Sequence, residues 1–198
     1  MGLDLEYING QTPLDEDEKE GLLIPTIATR EELDEFEQQN IEDALQWVFN
    51  RSVKAETILT AKFICNLHKR MYGHVWAWAG KFRRTEKNLG IDKWQIPMAL
   101  KNLCDDTFYW IRNETFTPDE IALRFKHRIV SIHCFPNGNG RHSRLMADVI
   151  ISNVYNEPLF SWGSDDLVHK GKSRSNYLKS LRAADKGNYA LLLKFARS

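Results

Sequence analysis

Residues 117–154 contain two helix patterns joined by a short loop, and this segment constrains the fold more than any other. Thr117 is a suitable N-cap, Pro118 fits the first helical position, and Glu120 stands where a capping box needs an acid. Apolar residues then recur at helical spacing up to His133, and a second helical pattern follows the loop. Two such helices meeting at a tight loop predict a helical domain.

Helical spacing also recurs through most of the remaining chain. Thr29 and Glu32 form another capping-box pair, and two short helices are predicted around residues 174–184 and 188–197. Residues 73–96 interrupt the pattern with tryptophans and glycines, which indicates a loop or a short hairpin. The predicted fold is therefore all-α, with six to eight helices and one small β-hairpin.

Composition and charge narrow the function classes. The chain has 198 residues, and its 27 basic side chains balance 27 acidic ones, so charge gives no reason to expect direct nucleic-acid or membrane binding. No apolar run is long enough to cross a bilayer, and the first residues lack the pattern of a signal peptide. Cys65, Cys104 and Cys134 show no paired or metal-type spacing. We expect a cytoplasmic protein with reduced thiols.

The segment before the first long helix differs from the rest of the chain. Residues 8–25 combine glycines and prolines with five acids between Asp15 and Glu20. Such a composition is typical of an extended arm rather than of a buried core. We therefore expect this arm to lie outside the core.

The loop between the two best-defined helices carries the chemistry. Residues 133–144 read His-Cys-Phe-Pro-Asn-Gly-Asn-Gly-Arg-His-Ser-Arg. His133 is the side chain of this loop that can transfer a proton near neutral pH. A glycine-containing loop that opens a helix leaves backbone N–H groups unpaired, and Arg141 and Arg144 add positive charge beside them. A lone histidine at a helix end is more often a cap, so it is the combination that indicates nucleotide chemistry.

This stretch resembles the motif of the Fic family, His-x-Phe-x-Asp/Glu-Gly-Asn-Gly-Arg-x-x-Arg. Seven positions match, namely His133, Phe135, Gly138, Asn139, Gly140, Arg141 and Arg144. The family's acidic residue is Asn137 here, and Cys134 replaces the usual proline after the histidine. The resemblance implies a Fic-type helical bundle with a β-hairpin flap. It covers about residues 55–198 and leaves residues 1–54 as an N-terminal arm and helix.

The resemblance also implies an activity and a role for each motif residue. Fic proteins transfer AMP from ATP to a hydroxyl of a target protein, and His133 would be the general base. The ATP-binding residues would be Gly138, Asn139, Gly140, Arg141 and Arg144. The family acid is a ligand of Mg2+, so the metal would lie at Asn137, whose neutral amide is a weaker ligand.

Residues 76–92 resemble the segment that forms the family's flap, which clamps a target segment by strand addition. The residues that would face the target are Phe82, Arg83, Lys87, Asn88, Leu89, Gly90 and Ile91. Trp76 and Trp78 are expected to pack this segment against the core. Near the C-terminus, Tyr177 is a candidate for contact with the adenine.

Three consequences of Asn137 are open. AMP transfer is slowed, or another nucleotide or group is transferred, or the chain is a nucleotide-binding regulatory module without turnover. A carboxylate binds magnesium through its charge, but triphosphate oxygens supply most of the ligands. We therefore rank a slower protein adenylyltransferase first among these alternatives.

The source of inhibition is also open. Many Fic proteins carry an inhibitory helix with the pattern Ser/Thr-x-x-x-Glu-Gly/Asn, whose glutamate pairs with the second motif arginine, here Arg144. This sequence has no clean copy, because Glu20-Gly21 lacks the Ser or Thr and Glu37 lacks the following Gly or Asn. The inhibitor is thus a divergent version or a separate protein. Residues 11–50 resemble the bacterial Fic subgroup called mobile mystery protein B, whose neighbouring small helix-turn-helix protein would be the partner.

Overall fold

The computed structural model describes residues 13–163 and 170–198, and within those ranges the chain is helical. In chain order the elements are α1 (Glu16–Lys19), α2 (Arg30–Phe49), α3 (Ala55–Ile58), α4 (Ala61–Tyr72), a 3-10 turn (Lys93–Gln95), α5 (Ile96–Arg112), α6 (Pro118–Ile132), α7 (Asn139–Tyr155), α8 (Lys170–Ala184) and α9 (Ala190–Ala196). β-structure in these ranges is limited to one bridge, between Leu22 and Trp76. The all-α class is confirmed, but the described ranges contain nine α-helices instead of the predicted six to eight, and two of them, α1 and α3, have only four residues.

Helices α6 and α7 form the centre of the fold and pack against each other. Helix α6 also contacts α5 and α9, while α7 contacts α2, α3 and α4. Phe125 on α6 and Val149 on α7 are completely buried in the hydrophobic core. Because burying one such side chain contributes about 1.5–3 kcal/mol, both helices are firmly held. The loop that joins them is therefore fixed at both ends.

The predicted start of α6 is confirmed, with one difference. Thr117 Oγ1 accepts a hydrogen bond from Glu120 N at 3.4 Å, as an N-cap should. The Glu120 carboxylate does not complete a capping box, because it accepts two hydrogen bonds from Arg124, at 3.0 and 2.8 Å. Two donors from a guanidinium form a stronger interaction than one backbone N–H.

Helix α2 is a single helix of 20 residues. Its predicted capping box is present: Glu32 N donates to Thr29 Oγ1 at 3.2 Å, and Thr29 N donates to the Glu32 carboxylate at 3.1 Å. Leu33 and Val48 on its inner face are buried in the same core as α4 and α7. The N-terminal helix is thus packed against the centre of the fold.

The N-terminal arm, residues 13–25, does not lie outside the core as predicted. Leu14 is 6% exposed and packs into the hydrophobic core. Ala77 N donates to Gly21 O at 2.8 Å, and Leu23 N donates to Val75 O at 2.8 Å. The prediction was wrong because pairing with the segment after α4 satisfies the arm's backbone. Residues 8–12 of the predicted arm lie outside the described residues.

The β-hairpin predicted as a flap is not formed in the structure. We call residues 82–92 the flap segment, and all of them are irregular. The backbone N–H groups of residues 84–90 donate no hydrogen bond to any described residue. Side chains hold this segment instead of a strand ladder, as described below. The prediction of a hairpin was therefore wrong, because the flap segment is irregular.

Candidate functional site

The loop from His133 to Gly138 joins α6 to α7 and is closed by one side chain. Asn139 Oδ1 accepts a hydrogen bond from Phe135 N at 3.0 Å, and Asn139 Nδ2 donates to Phe135 O at 2.8 Å. Both ends of the loop have left-handed backbone, with φ of 57° at His133 and 77° at Gly138. The Asn139 amide is thus engaged by the loop itself. Its contact with a phosphate stays a prediction.

A stacked pair of rings supports the loop from the core. The ring centroids of Phe135 and His68 lie 3.8 Å apart. Gly80 N donates to His68 Nδ1 at 3.0 Å, so His68 Nε2 carries the proton and donates to Asn137 O at 3.0 Å. Burial holds the pKa of His68 well below its usual value, which keeps the ring neutral. His68 was not among the residues predicted for the site, although it holds the loop through its hydrogen bond to Asn137 O.

The two motif glycines have different surroundings. A Cβ on Gly138 would lie 2.6 Å from two ring atoms of the buried Tyr72. A Cβ on Gly140 would meet no described atom within 4 Å. Gly140 lies in the first turn of α7, where backbone N–H groups have no partner within the helix. The space beside Gly140 is therefore open and faces donors that suit an anion.

His133 lies against the flap segment, and 6% of it is exposed. A Cβ on Gly90 would come within 2.6 Å of His133 Cβ, so this close approach requires glycine. Burial, then the charges of Arg83 and Lys87, lower the pKa of His133 to about 4, while a hydrogen bond at the Val130 backbone opposes them. The ring is therefore neutral at pH 7 and able to accept a proton.

Arg83 anchors both ends of the flap segment to the motif loop. Its side chain has no exposed surface and donates from Nε to His133 O at 2.7 Å. Its Nη atoms donate to Thr85 O at 3.0 Å and to Ile91 O. Arg83 was predicted to face the target, but its guanidinium faces these three carbonyl groups. Arg83 therefore stabilises the flap segment through hydrogen bonds to backbone carbonyl groups.

The other predicted flap residues have different positions. Leu89 is 49% exposed, and Asn88 and Gly90 are also exposed, whereas Phe82 is half-buried and packs near Phe135. The Lys87 ammonium does not point to solvent, because Nζ lies 2.5 Å from Glu18 Oε2. The exposed surface for a target is thus the middle of the flap segment. Contact of these residues with a target stays a prediction.

The two motif arginines have separate partners. Arg141 Nη2 donates to Glu37 Oε2 at 2.6 Å, and Glu37 Oε1 accepts from Trp76 Nε1 at 2.7 Å. The guanidinium of Arg144 lies 5.1 Å from the ring centroid of Tyr177. Arg144 Nε is buried and has no hydrogen-bond partner among the described residues. A carboxylate on α2 therefore holds the first motif arginine rather than the second.

Both arginines line a cavity of about 210 Å³ between α2 and α7. Its other lining residues are Gln38, Ile41, Leu45, Met71, Leu145, Asp148 and Trp162. Asp148 accepts hydrogen bonds from Trp162 Nε1 at 2.9 Å and Phe160 N at 3.1 Å, and burial raises its pKa to about 6. Two guanidinium groups at one cavity suit the binding of phosphate oxygens. Asp148 was not among the residues predicted for the site, although it lines this cavity.

Tyr177 lies between the side chains of Lys126 and Arg144. Lys126 Nζ donates to Tyr177 Oη at 2.5 Å, and Arg144 lies over the tyrosine ring. Lys126 is fully buried, and burial, followed by the charge of Arg144, lowers its pKa well below the usual value. Tyr177 therefore supports Arg144 in this structure. Its contact with an adenine stays a prediction.

Asn137 offers little to a metal ion. Its Oδ1 accepts a hydrogen bond from Gly138 N at 2.6 Å. Across the described residues there is no group of three or more His, Cys, Asp or Glu side chains that could hold a metal. A carbonyl oxygen has a second lone pair, so Asn137 can supply one neutral ligand. This donor set fits an ion that arrives bound to a nucleotide, and it does not fit a resident metal.

Comparisons with known proteins identify the class of this fold and site. Residues 58–151, from α3 into α7, match the family described as the Fic/DOC family. Over this segment, which is just under half of the chain, the protein is similar to the Fic/DOC family.

Curated relatives carry the name protein adenylyltransferase Fic. The chain is 29% identical over 150 residues to the protein of Drosophila grimshawi and 25% identical over 159 residues to that of Aedes aegypti. The alignments cover 74% and 78% of this chain but 29% and 30% of those relatives. The chain therefore spans about three-tenths of the length of the curated relatives it matches.

Solved structures share the fold. Fic-1 from C. elegans has a TM-score of 0.67 at 23% identity, covering 90% of this chain and 51% of that one. The BepC protein of Bartonella tribocorum, a VirB-translocated effector with bound AMPPNP, has a TM-score of 0.67 at 16% identity, covering 92% and 97%. The division of the chain after residue 54 and its place in a Fic subgroup stay predictions.

Proposed function

We propose that this chain transfers AMP from ATP to a hydroxyl side chain of a target protein, with His133 as the general base. The observation that supports this most is the position of His133. Its neutral ring lies at the loop whose far end opens α7, and both motif arginines extend from that helix. The name of the curated relatives, protein adenylyltransferase, agrees with this activity.

The proposed reaction needs a base and charge stabilisation. The target hydroxyl oxygen forms a bond to the α-phosphorus while the bond from that phosphorus to the pyrophosphate oxygen breaks. The hydroxyl proton passes to the ring of His133, and pyrophosphate leaves. The unpaired N–H groups in the first turn of α7, with Arg141 and Arg144, stabilise the negative charge on the phosphate oxygens. Gly138 and Gly140 let the backbone approach those oxygens closely.

We propose that Mg2+ reaches the site as part of the ATP complex. Bound there, it would neutralise charge on the phosphate oxygens. Asn137 would supply one neutral oxygen ligand beside those phosphate oxygens and water. The expected result is a lower affinity for Mg2+ than a carboxylate at this position would give.

We propose that the target segment pairs with the middle of the flap segment. The backbone N–H groups of residues 84–90 are unpaired within the described chain, so they can donate to an added strand. Leu89 and Asn88 are exposed there and can contact target side chains. Arg83 and Lys87 fix the flap segment rather than the target.

The proposed cellular location and regulatory partner are those expected from the sequence. Within the described ranges no helix is both long and apolar enough to cross a bilayer. The three cysteines are free thiols, which supports a cytoplasmic location. A separate inhibitor, such as a small helix-turn-helix protein, is the proposed regulatory partner.

Two alternatives use the same pocket, and one experiment separates them. The first is a nucleotide-binding regulatory module without turnover, and the second is transfer from another nucleotide or of another group. With labelled ATP and Mg2+, we expect the purified protein to label itself or a lysate protein. The Asn137→Asp variant should need about tenfold less Mg2+, because a carboxylate ligand is charged.

Titration calorimetry of ATP with and without Mg2+ completes this test. Binding that is indifferent to Mg2+, with no label in either variant, would favour the regulatory module. Label from other nucleotides but not from ATP would favour the second alternative. Absence of both binding and label would contradict the proposed function.

Glu37 competes with phosphate for Arg141, which gives a second prediction. The Glu37→Gln variant keeps an acceptor for Trp76 but removes the charge that holds Arg141. A charge-assisted hydrogen bond contributes about 1.5–3 kcal/mol, so the Kd for ATP should fall by about tenfold. Calorimetry measures it, with Glu35→Gln at an exposed position of α2 as control. An unchanged Kd in Glu37→Gln would mean that Arg141 does not contact the nucleotide.

A further inference from the structure

The N-terminal arm and the flap segment are joined by a shielded ion pair that the proposed reaction does not use. Lys87 Nζ lies 2.5 Å from Glu18 Oε2, 2.9 Å from Asp15 Oδ2 and 3.2 Å from Pro13 O. Thr85 Oγ1 donates to Glu18 Oε1 at 2.8 Å. The Lys87 and Glu18 side chains are 4% and 8% exposed, although both residues belong to surface segments. One carboxylate thus holds two side chains of the flap segment.

Glu18 is itself held in place by the arm and the core. Asp15 N donates to Glu18 Oε2 at 2.9 Å, which forms the capping box of α1. Trp78 Nε1 donates to Glu18 O at 3.0 Å, and the buried Leu14 anchors the start of the arm. The carboxylate is therefore presented to the flap segment in one fixed position.

The middle of the flap segment has one further side-chain attachment, Glu86, whose carboxylate lies 3.4 Å from Arg83 Nη1 and accepts a hydrogen bond from Lys93 N at 3.2 Å. Arg83 holds the carbonyl groups of Thr85 and Ile91 near its two ends. The backbone N–H groups between these ends make no hydrogen bond within the described chain. Lys87 and Thr85 are the side chains through which the arm holds this stretch. A loop with so few internal bonds loses order when such a contact is removed.

We infer that Glu18 is a positioning residue for the transfer reaction. Through Lys87 and Thr85 it keeps residues 84–90 in the conformation that lies against His133 and receives the target segment. This inference rests on the proposed function. Without Glu18, the flap segment must be ordered during target docking, which weakens docking. ATP binding at the start of α7 does not involve the arm and is unaffected.

The Glu18→Gln variant tests this inference. Glutamine keeps one acceptor oxygen, for Asp15 N or for Thr85 Oγ1, and replaces the other oxygen with an NH2 donor. It also removes the charge that pairs with Lys87. The backbone 15N order parameters of residues 84–90 should fall from about 0.85 to below about 0.6. Label transfer should fall by about tenfold while the Kd for ATP stays unchanged. Unfolding of the whole protein would impair both label transfer and ATP binding. A loss of transfer with an unchanged Kd therefore excludes unfolding as the cause.

The matched control is Glu16→Gln on the same short helix. The Glu16 side chain is 85% exposed and pairs with Lys19, so neither readout should change. Lys87→Met keeps the aliphatic stem and should reproduce the effect of Glu18→Gln, with little added in the double variant. Unchanged order parameters in Glu18→Gln, or lost order with full transfer, would overturn the inference. The order parameters are measured without ATP or target, so failure of the proposed function is a separate result.

Discussion

Replacing His133 with alanine should lower the rate of AMP transfer by about 10²- to 10⁴-fold, the usual contribution of a general base. The reason is that His133 is the neutral imidazole at the motif loop, held against the flap segment where we propose that the target hydroxyl binds. Its side chain makes no part of the phosphate cradle, so the Kd for ATP should stay within about twofold of wild type. Single-turnover transfer of labelled AMP measures the rate, and calorimetry measures the Kd.

A histidine outside the site provides the control for this experiment. His74 is exposed, and His74→Ala should leave both the rate and the Kd unchanged. Transfer by His133→Ala at more than one-tenth of the wild-type rate would show that another group, or water, takes the proton. The assignment of His133 as the base would then be wrong, even if ATP binding were intact.

Replacing Gly138 with alanine should destabilise the fold by about 2–5 kcal/mol. Left-handed backbone strain contributes about 1–2 kcal/mol of this, and overpacking against the Tyr72 ring contributes about 1–3 kcal/mol. The ring cannot move aside easily, because Tyr72 is 1% exposed within the core. The free energy of unfolding from urea titration, at constant m, measures the loss.

Gly140→Ala is the matched control for Gly138→Ala. Gly140 is helical and its Cβ would enter open space, so this variant should be stabilised by about 0.4–1 kcal/mol. The same methyl group should weaken ATP binding, because it would occupy the space where we place the phosphates. Equal destabilisation of both variants would contradict the environment described for Gly138. Unchanged ATP affinity in Gly140→Ala would contradict the proposed position of the nucleotide.

The features that the sequence predicted are those set by neighbouring residues. The capping pair at Thr29 and Glu32 and the N-cap at Thr117 depend on groups three residues apart, and both are present. The motif loop between α6 and α7 also lies within one short stretch of chain. Local spacing therefore recovered the helices and the loop that carries His133.

The interactions that the sequence missed join distant residues. Glu37 and Arg141 are 104 positions apart, and Glu18 and Lys87 are 69 apart. No periodicity or spacing rule relates such pairs, because their contact is created by packing of α2 and the arm on the centre of the fold. The acids of the arm were therefore interpreted as a solvated segment, although one of them is shielded by its partner.

His68 and the flap segment illustrate two other failures of sequence reasoning. His68 lies on α4 among buried apolar side chains, so its position resembles that of a core residue and not of a support for the loop. The hairpin was expected from a resemblance, which cannot show whether a strand ladder forms. In the structure, the guanidinium of Arg83 donates hydrogen bonds to Thr85 O and Ile91 O, and no strand ladder forms in the flap segment.

The position of His133 as the residue that ends α6 has an electrostatic consequence. Aligned peptide dipoles give the C-terminal end of a helix a partial negative charge, equivalent to about half an electron. Once the ring has accepted a proton, this end of α6 stabilises the imidazolium by about 0.3–2 kcal/mol. The main chain at the end of α6 thus partly offsets the burial and the charges of Arg83 and Lys87, which lower the pKa of His133.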